Sequence, residues 1–135
     1  MLIDTNALIW YGGDDPNLSV QAARLMREGG NYYSHVSLWE MAIKGGLGKL
    51  KLRTAEGQPS HAREFMLRMI RELQLTPLPI EFDDLADVER LPHLPRPYSN
   101  DPFDRLLVVQ AKRLDLTIIS ADQVFDEQYG IKRAW

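Results

Sequence analysis

Short apolar runs alternate along the chain with stretches in which apolar residues recur at helical spacing. Five runs predict strands, the last of them only as a candidate: residues 2–3, 32–34, 75–80, 117–120 and 131–134. Residues 117–120 have almost no polar break, which is typical of a strand inside a parallel sheet. Pro77 and Pro79 weaken the run at 75–80 and place it near a sheet edge.

The intervening stretches predict helices. The clearest is amphipathic and covers residues 62–73, with Phe65, Met66 and Met69 on its apolar stripe. Other helices are predicted at 5–11, 18–26, 37–45, 82–91 and 102–114, and residues 91–99 form a Pro-rich loop. This alternation predicts one domain over residues 1–135 with an α/β fold, a three-layer α/β/α sandwich around a mainly parallel sheet of four to five strands.

Composition narrows the class of protein. Among the 135 residues 44% are hydrophobic and 26% charged, as in ordinary globular domains. The absence of cysteine excludes a disulfide scaffold and cysteine-ligated metal, and it fits a cytoplasmic location. No apolar run approaches the roughly 20 residues of a membrane span. Asp4 interrupts the apolar run that a signal peptide would require at the N-terminus. The net charge of −3 gives no general attraction to polyanions, so such a substrate would need a local basic patch or a bound cation.

Four acidic residues lie at the boundaries of the predicted elements. Asp4 follows the first strand, Asp122 follows the strand at 117–120, and Glu40 and Asp104 lie in the first turns of two helices. Ligands of open parallel sheets bind beyond the carboxyl ends of the strands. We therefore expect these four carboxylates to converge on one edge of the sheet.

Each acid also has an explanation in local structure alone. Ser37 and Glu40 match a capping box, and Glu40 can pair with Lys44 one turn later. Asp101 is a good N-cap residue, and Asp104 would suit the dipole at the same helix start. Asp4 could cap the turn after the first strand, and Asp122 could cap a helix that runs through Phe125. Local structure does not explain the whole set, because like charges placed together repel unless a cation or proton compensates them.

The available ligands point to a hard cation. There is no cysteine, and His35, His61 and His93 lack the mutual spacing of metal ligands. Carboxylate oxygens suit Mg²⁺ or Mn²⁺ rather than zinc. Such ions activate water and stabilise the charge that develops on a phosphodiester, so the expected chemistry is metal-assisted phosphodiester hydrolysis.

At these residues the chain resembles a PIN-domain ribonuclease, specifically the VapC-type toxin of a toxin–antitoxin pair. The resemblance runs through almost the whole chain and rests on the segments 1–6, 37–44, 47–50, 101–107 and 118–122, and on Phe125. It implies a PIN-like fold and Mg²⁺- or Mn²⁺-dependent cleavage of RNA. It also implies a homodimer and an antitoxin protein that inhibits the enzyme.

The resemblance implies a role for particular residues. Asp4, Glu40, Asp104 and Asp122 would be the catalytic, metal-binding set. Thr5 and Asn6 would give polar support near Asp4, with Asp101 and Ser120 as further supporting residues. Two positions depart from the family pattern: Ser99 stands where relatives usually carry a histidine, and Ser120 where they usually carry a threonine. Neither change removes a metal ligand, and Ser120 keeps the hydroxyl.

A basic cluster follows the helix that carries Glu40. Its members are Lys44, Lys49, Lys51 and Arg53, which either contact RNA phosphates or form a solvated surface. Trp39, Leu47, Leu50 and Leu52 are either core residues or part of a dimer or antitoxin surface.

Two other functions compete with the nuclease. A phospho-receiver domain would need a second acid beside Asp4 and a lysine after a late strand, and residues 117–122 contain no lysine. A catalytically inactive PIN-like module that binds RNA or protein is the alternative we retain.

Overall fold

The fold, described over residues 1–135 in a computed structural model, is built on a five-stranded parallel sheet. Seven strands occur in all: β1 Leu2–Ile3, β2 Tyr32–Ser34, β3 Leu52–Arg53, β4 Pro59–Ser60, β5 Thr76–Leu78, β6 Ile118–Ile119 and β7 Arg133–Ala134. The sheet order is β5-β2-β1-β6-β7, and every neighbouring pair is parallel. Leu2 lies opposite both Tyr32 and Ile118, so β1 is the central strand.

Seven helices connect and cover the strands: α1 Thr5–Gly12, α2 Val20–Arg27, α3 His35–Gly46, α4 Ala62–Leu73, α5 Phe82–Asp87, α6 Pro102–Arg113 and α7 Val124–Glu127. A single 3₁₀ turn, Val88–Arg90, extends α5. No helix of the chain combines the length and the apolarity that crossing a membrane requires.

Two apolar cores lie on the two faces of the sheet. Successive side chains of a strand point to opposite faces, so Ile3 packs with α1, α2 and α4 while Leu2 packs with α6 and α7. The neighbouring strand β6 divides in the same way, with Ile119 in the first core and Ile118 in the second. The three-layer α/β/α sandwich predicted from the sequence is therefore confirmed.

The start of α3 differs from the prediction. The helix begins at His35, two residues earlier than expected, because Ser34 is the N-cap and its Oγ accepts a hydrogen bond from the Val36 amide at 2.9 Å. Ser37 lies inside the helix and is buried. The predicted capping box of Ser37 and Glu40 is therefore wrong.

The prediction at 75–80 is confirmed in kind but is too long, since β5 covers only Thr76–Leu78 at the edge of the sheet. No pattern in the sequence predicts the antiparallel hairpin of β3 and β4. Each of its strands has two residues, and Leu52 alone among them is buried. Such short strands carry almost no periodicity for a sequence pattern to reveal.

Candidate functional site

The first predicted acid, Asp4, lies between the central strand β1 and helix α1. It is 4% exposed, and its side chain makes no capping hydrogen bond to α1. Instead, its Oδ2 accepts a hydrogen bond from Ser120 Oγ at 2.8 Å. Asp4 thus occupies the N-cap position of α1, while its carboxylate is engaged by Ser120 from a distant strand end.

Ser120 connects two of the four acids. Its hydroxyl donates to Asp4 and accepts from the Asp122 amide at 3.1 Å. Asp122 is exposed, and its Oδ1 accepts from the Val124 amide at 2.9 Å. Asp122 thus holds the start of α7, as its local sequence suggested, while standing at the same sheet edge as Asp4.

Glu40 projects from α3 and is 5% exposed. It forms the predicted ion pair with Lys44 one turn later. Burial alone would lower the pKa of the Lys44 amine, but the hydrogen bond to Glu40 and the charges of Glu40, Asp101 and Asp104 raise it. Lys44 therefore lies in the electrostatic field of the acids and remains a cation.

The two acids at the start of α6 have separate positions. Asp101 is the N-cap, and its Oδ1 accepts from the Phe103 amide at 2.8 Å. Pro102 occupies the first turn, where its missing amide hydrogen costs nothing. Asp104 lies three residues beyond the cap and is partly buried.

The pKa values show that the acids act on one another. Burial, as the largest cause, and the charges of Asp4, Asp101, Glu40 and Asp122 together raise the pKa of Asp104 to about 8. Burial also raises the pKa of Asp4 to about 6, against the lowering effect of the Ser120 hydrogen bond and with a contribution from Glu40. Carboxylates that oppose one another's ionisation need a proton or a cation to share the site.

The donor set fits a hard divalent cation. Every side-chain donor among the four acids is a carboxylate oxygen, the ligand that Mg²⁺ and Mn²⁺ prefer. No three acidic or histidine side chains are drawn together into a ready-made metal site. The chain therefore places suitable ligands at one edge of the sheet, but these ligands do not surround a common position.

The two residues expected to support Asp4 do so through their backbone, because hydrogen bonds from the Thr5 and Asn6 amides lower the pKa of Asp4. Thr5 is buried, and its Oγ1 donates to Ser37 Oγ at 3.1 Å, which joins α1 to α3. Asn6 is exposed at the first turn of α1. Neither side chain hydrogen-bonds to Asp4.

The basic cluster is divided between two places. Lys44 accompanies the acids, whereas Lys49, Lys51 and Arg53 are exposed beyond the end of α3. Lys51 and Arg53 line a groove of about 600 Å³ bounded by α3, the β3–β4 hairpin and α4. None of the four acids contributes to that groove.

The cleft beside the acids includes residues that the sequence did not identify. It has a volume of about 220 Å³ and is lined by Pro97, Tyr98, Ser99, Asp104, Asp122 and Val124. An aromatic residue in a Pro-rich loop just before two acids is the signal that would have indicated it.

The loop that forms this cleft is fixed to α6. The Arg105 guanidinium donates hydrogen bonds to the carbonyls of Val88, Leu91 and Pro92. The Asn100 side chain accepts from the Leu94 amide and donates to the Leu94 carbonyl. Arg105 and Asn100 thus hold both ends of the loop that contains Tyr98.

Comparison with known proteins gives one family and a common fold. The family model described as PIN domain matches residues 1–131. VapBC2 from Rickettsia felis bound to a DNA fragment from their promoter is a similar solved structure, with 13% identity and a TM-score of 0.65 over 98% of this chain and 96% of that chain. FitAB bound to the IR36 DNA fragment is another, with 15% identity and a TM-score of 0.64 over 98% of this chain and 92% of that one. No curated protein sequence matches the chain.

Proposed function

Because the chain belongs to the PIN domain family, we propose that it is a metal-dependent endoribonuclease and the toxin of a toxin–antitoxin pair. The proposal assigns catalysis to Asp4, Glu40, Asp104 and Asp122. It takes residues 1–135 as a single PIN-like domain that acts in the cytoplasm.

One observation carries the proposal: the four acids share an electrostatic field although they come from distant parts of the sequence. All of Asp4, Glu40 and Asp122 raise the pKa of Asp104. Ordinary helix capping does not require such an arrangement, and it does not explain why the Asp4 carboxylate accepts a hydrogen bond from Ser120. Carboxylates that repel one another at the edge of a sheet favour a cation-binding site there.

The four carboxylates would hold Mg²⁺ or Mn²⁺, which when bound would activate water and stabilise the charge developing on the phosphodiester. Ser120 orients Asp4 through their hydrogen bond and couples it to the backbone at Asp122. Lys44 offsets the charge of Glu40 and supplies a positive charge for an RNA phosphate beside the acids. The exposed Lys49, Lys51 and Arg53 would contact phosphates farther along the strand.

Cleavage of RNA tests the mechanism. We would compare the wild type, Asp4→Asn and Asp14→Asn with Mg²⁺, with Mn²⁺ and with EDTA. Asp14 is an exposed loop acid at positive φ, which asparagine tolerates, so Asp14→Asn is a matched control. The expected result is cleavage by the wild type and the control only when metal is present. Cleavage that survives both EDTA and Asp4→Asn would refute the mechanism.

Partners form the second part of the proposal. The two similar structures are described as VapBC2 and FitAB bound to DNA fragments, which supports an antitoxin as a partner of this chain. Trp39 and Ile43 on α3 and Leu47 at its C-cap recur at four-residue spacing and are exposed, and they are our candidates for a homodimer or antitoxin surface. Size-exclusion chromatography with light scattering, with and without the product of an adjacent small reading frame, tests both assemblies. A monomer that does not bind the added protein would contradict both the homodimer and the antitoxin complex.

A binding-only PIN module is the second candidate. The observation that favours it is that no three acids converge into a ready-made metal site. In that case the wild type would bind RNA or an antitoxin without cleaving RNA under any metal condition. The cleavage experiment above separates the two functions.

A further inference from the structure

The cleft between the Pro-rich loop and the acids has the features of a subsite for a nucleobase. We propose that it receives one unpaired base of the nucleic acid strand, next to the phosphate that faces the acids, and that Tyr98 stacks on that base. The inference rests on the proposed nuclease function and adds a determinant of substrate choice to it.

The first argument is the size of the cleft and its position. Its volume of about 220 Å³ is below the roughly 300–1,000 Å³ of sites for drug-sized ligands, which suits a single base rather than a length of strand. Asp104 and Asp122 form part of its wall. A group in the cleft is therefore adjacent to the atoms that we expect to act on the phosphodiester.

The second argument is charge. Asp104 and Asp122 in the wall repel a phosphate, and the cleft has no lysine or arginine among its lining residues. The base is the uncharged part of a nucleotide, and every base has a face that stacks on an aromatic ring. Tyr98 is the one aromatic residue of the wall, and Pro97 adds an apolar surface beside it.

The third argument is that the wall is held in place before any ligand arrives. Tyr98 packs partly against the second core, and its amide donates to the Pro95 carbonyl. Asn100 and Arg105 fix the chain on either side of it. A site formed in advance loses less ordering free energy on binding. Bases inside a duplex are stacked on their neighbours, so only an unpaired base could enter this cleft.

Binding without catalysis tests the subsite. The probe is a short, mixed-sequence 2′-O-methyl RNA carrying fluorescein, presented to the full chain in EDTA as a single strand or as a duplex, with anisotropy as the readout. We expect Tyr98→Leu to weaken single-strand binding by about tenfold and to leave duplex binding unchanged. Tyr98→Phe should bind as the wild type does, because it keeps the ring. Leucine retains the apolar packing that Tyr98→Ala would remove, so this variant should fold.

Tyr11→Leu is the matched control, because Tyr11 is also half-buried but lies at the far end of α1. Equal losses for single strand and duplex, an equal loss in the control, or a Phe variant as weak as the Leu variant would each overturn the proposal. Melting curves of all variants show whether the fold is retained.

A cleavage map on an unstructured RNA gives the second readout. Tyr98→Leu should change the preferred cleavage positions, whereas Tyr98→Phe should keep them, and an unchanged map for Tyr98→Leu would overturn the subsite. A wild type that binds the probe but does not cleave RNA would count against the nuclease function. The binding comparison would still test the subsite in that case.

Discussion

Asp101 and Asp104 lie three residues apart at the start of α6, yet the structure gives them different tasks. Asp101 caps the helix through the Phe103 amide, and asparagine caps about as well as aspartate. Asp101→Asn should therefore melt close to the wild-type temperature and retain RNA cleavage, whereas Asp101→Ala should lose about 0.5–2 kcal/mol of unfolding free energy.

Asp104→Asn should lose RNA cleavage but keep its stability. Removing this carboxylate takes away a proposed metal ligand, and we expect cleavage to fall about a hundredfold or more. The apoprotein should melt at the same temperature or higher, because the charges of Asp4, Asp101 and Glu40 oppose ionisation of Asp104. Melting curves and cleavage rates measured on the same preparations check both variants. Equal loss of activity in Asp101→Asn and Asp104→Asn, at unchanged stability, would contradict this division.

Helices α5 and α6 are joined by a buried carboxylate. Asp84, fully buried on α5, accepts from Arg113 Nε at 2.7 Å and from the Gln110 side chain at 3.2 Å. Burial would raise the pKa of Asp84, but the hydrogen bonds from Arg113, the Glu81 amide and Gln110 together lower it. The stability that this group contributes is thus present above its unfolded pKa and is lost as pH falls through the lower folded value.

Arg113→Ala should destabilise the fold by about 1–3 kcal/mol, because it leaves a buried carboxylate without its charged partner. We take a value below that of a fully buried pair, since the Arg113 side chain is 35% exposed and water screens the interaction. Lys112→Ala is the matched control on the exposed face of α6. Urea unfolding at pH 7 gives the measurement, and equal effects of the two substitutions would show that the pair contributes nothing specific.

Substitution by alanine should change the free energy of unfolding in opposite directions at two helical glycines. A Cβ on Gly12 would lie 2.5 Å from the Phe65 ring, where α1 packs on α4, so Gly12→Ala should cost about 1–3 kcal/mol. A Cβ on Gly45 in α3 would meet open space, so Gly45→Ala should gain up to about 1 kcal/mol from helix propensity. Thermal unfolding of both variants is the test. Stabilisation by Gly12→Ala would mean that the contact between α1 and α4 is looser than described.

At the level of elements, the sequence predicted what periodicity can encode. The stripe at 62–73 forms α4, because its pattern extends over enough residues to fix its burial. The two-residue strand β6 is predictable for another reason, since both of its residues are apolar and fully buried. The start of α3 was misplaced because Ser34 and Ser37 are both plausible caps, and only the register of β2 decides between them. The β3–β4 hairpin and the Tyr98 cleft depend on contacts between distant segments, which no local pattern contains.

The whole molecule brings the acids that follow β1 and β6, and those of α3 and α6, to one sheet edge, and we expect this arrangement to make stability depend on pH and metal. In the unfolded chain these carboxyls have ordinary pKa values, while in the folded apoprotein the pKa of Asp4 is about 6 and that of Asp104 about 8. The folded state therefore binds more protons than the unfolded state between about pH 4 and pH 8. The contribution of these acids to stability is full below that range and falls as pH rises through it.

We therefore expect the melting temperature of the metal-free protein in EDTA to fall between pH 5 and pH 8, with a smaller fall in Asp104→Asn. Added Mg²⁺ or Mn²⁺ should raise the melting temperature more at pH 8 than at pH 5, because protons compete with the cation for the carboxylates and a ligand of the folded state stabilises it. Ca²⁺ serves as a further divalent cation that prefers oxygen ligands. Na⁺ at matched ionic strength shows how much of the shift in melting temperature comes from screening rather than from binding. If Mg²⁺ or Mn²⁺ shifted the wild type and Asp104→Asn equally at both pH values, the acids would not be holding the cation.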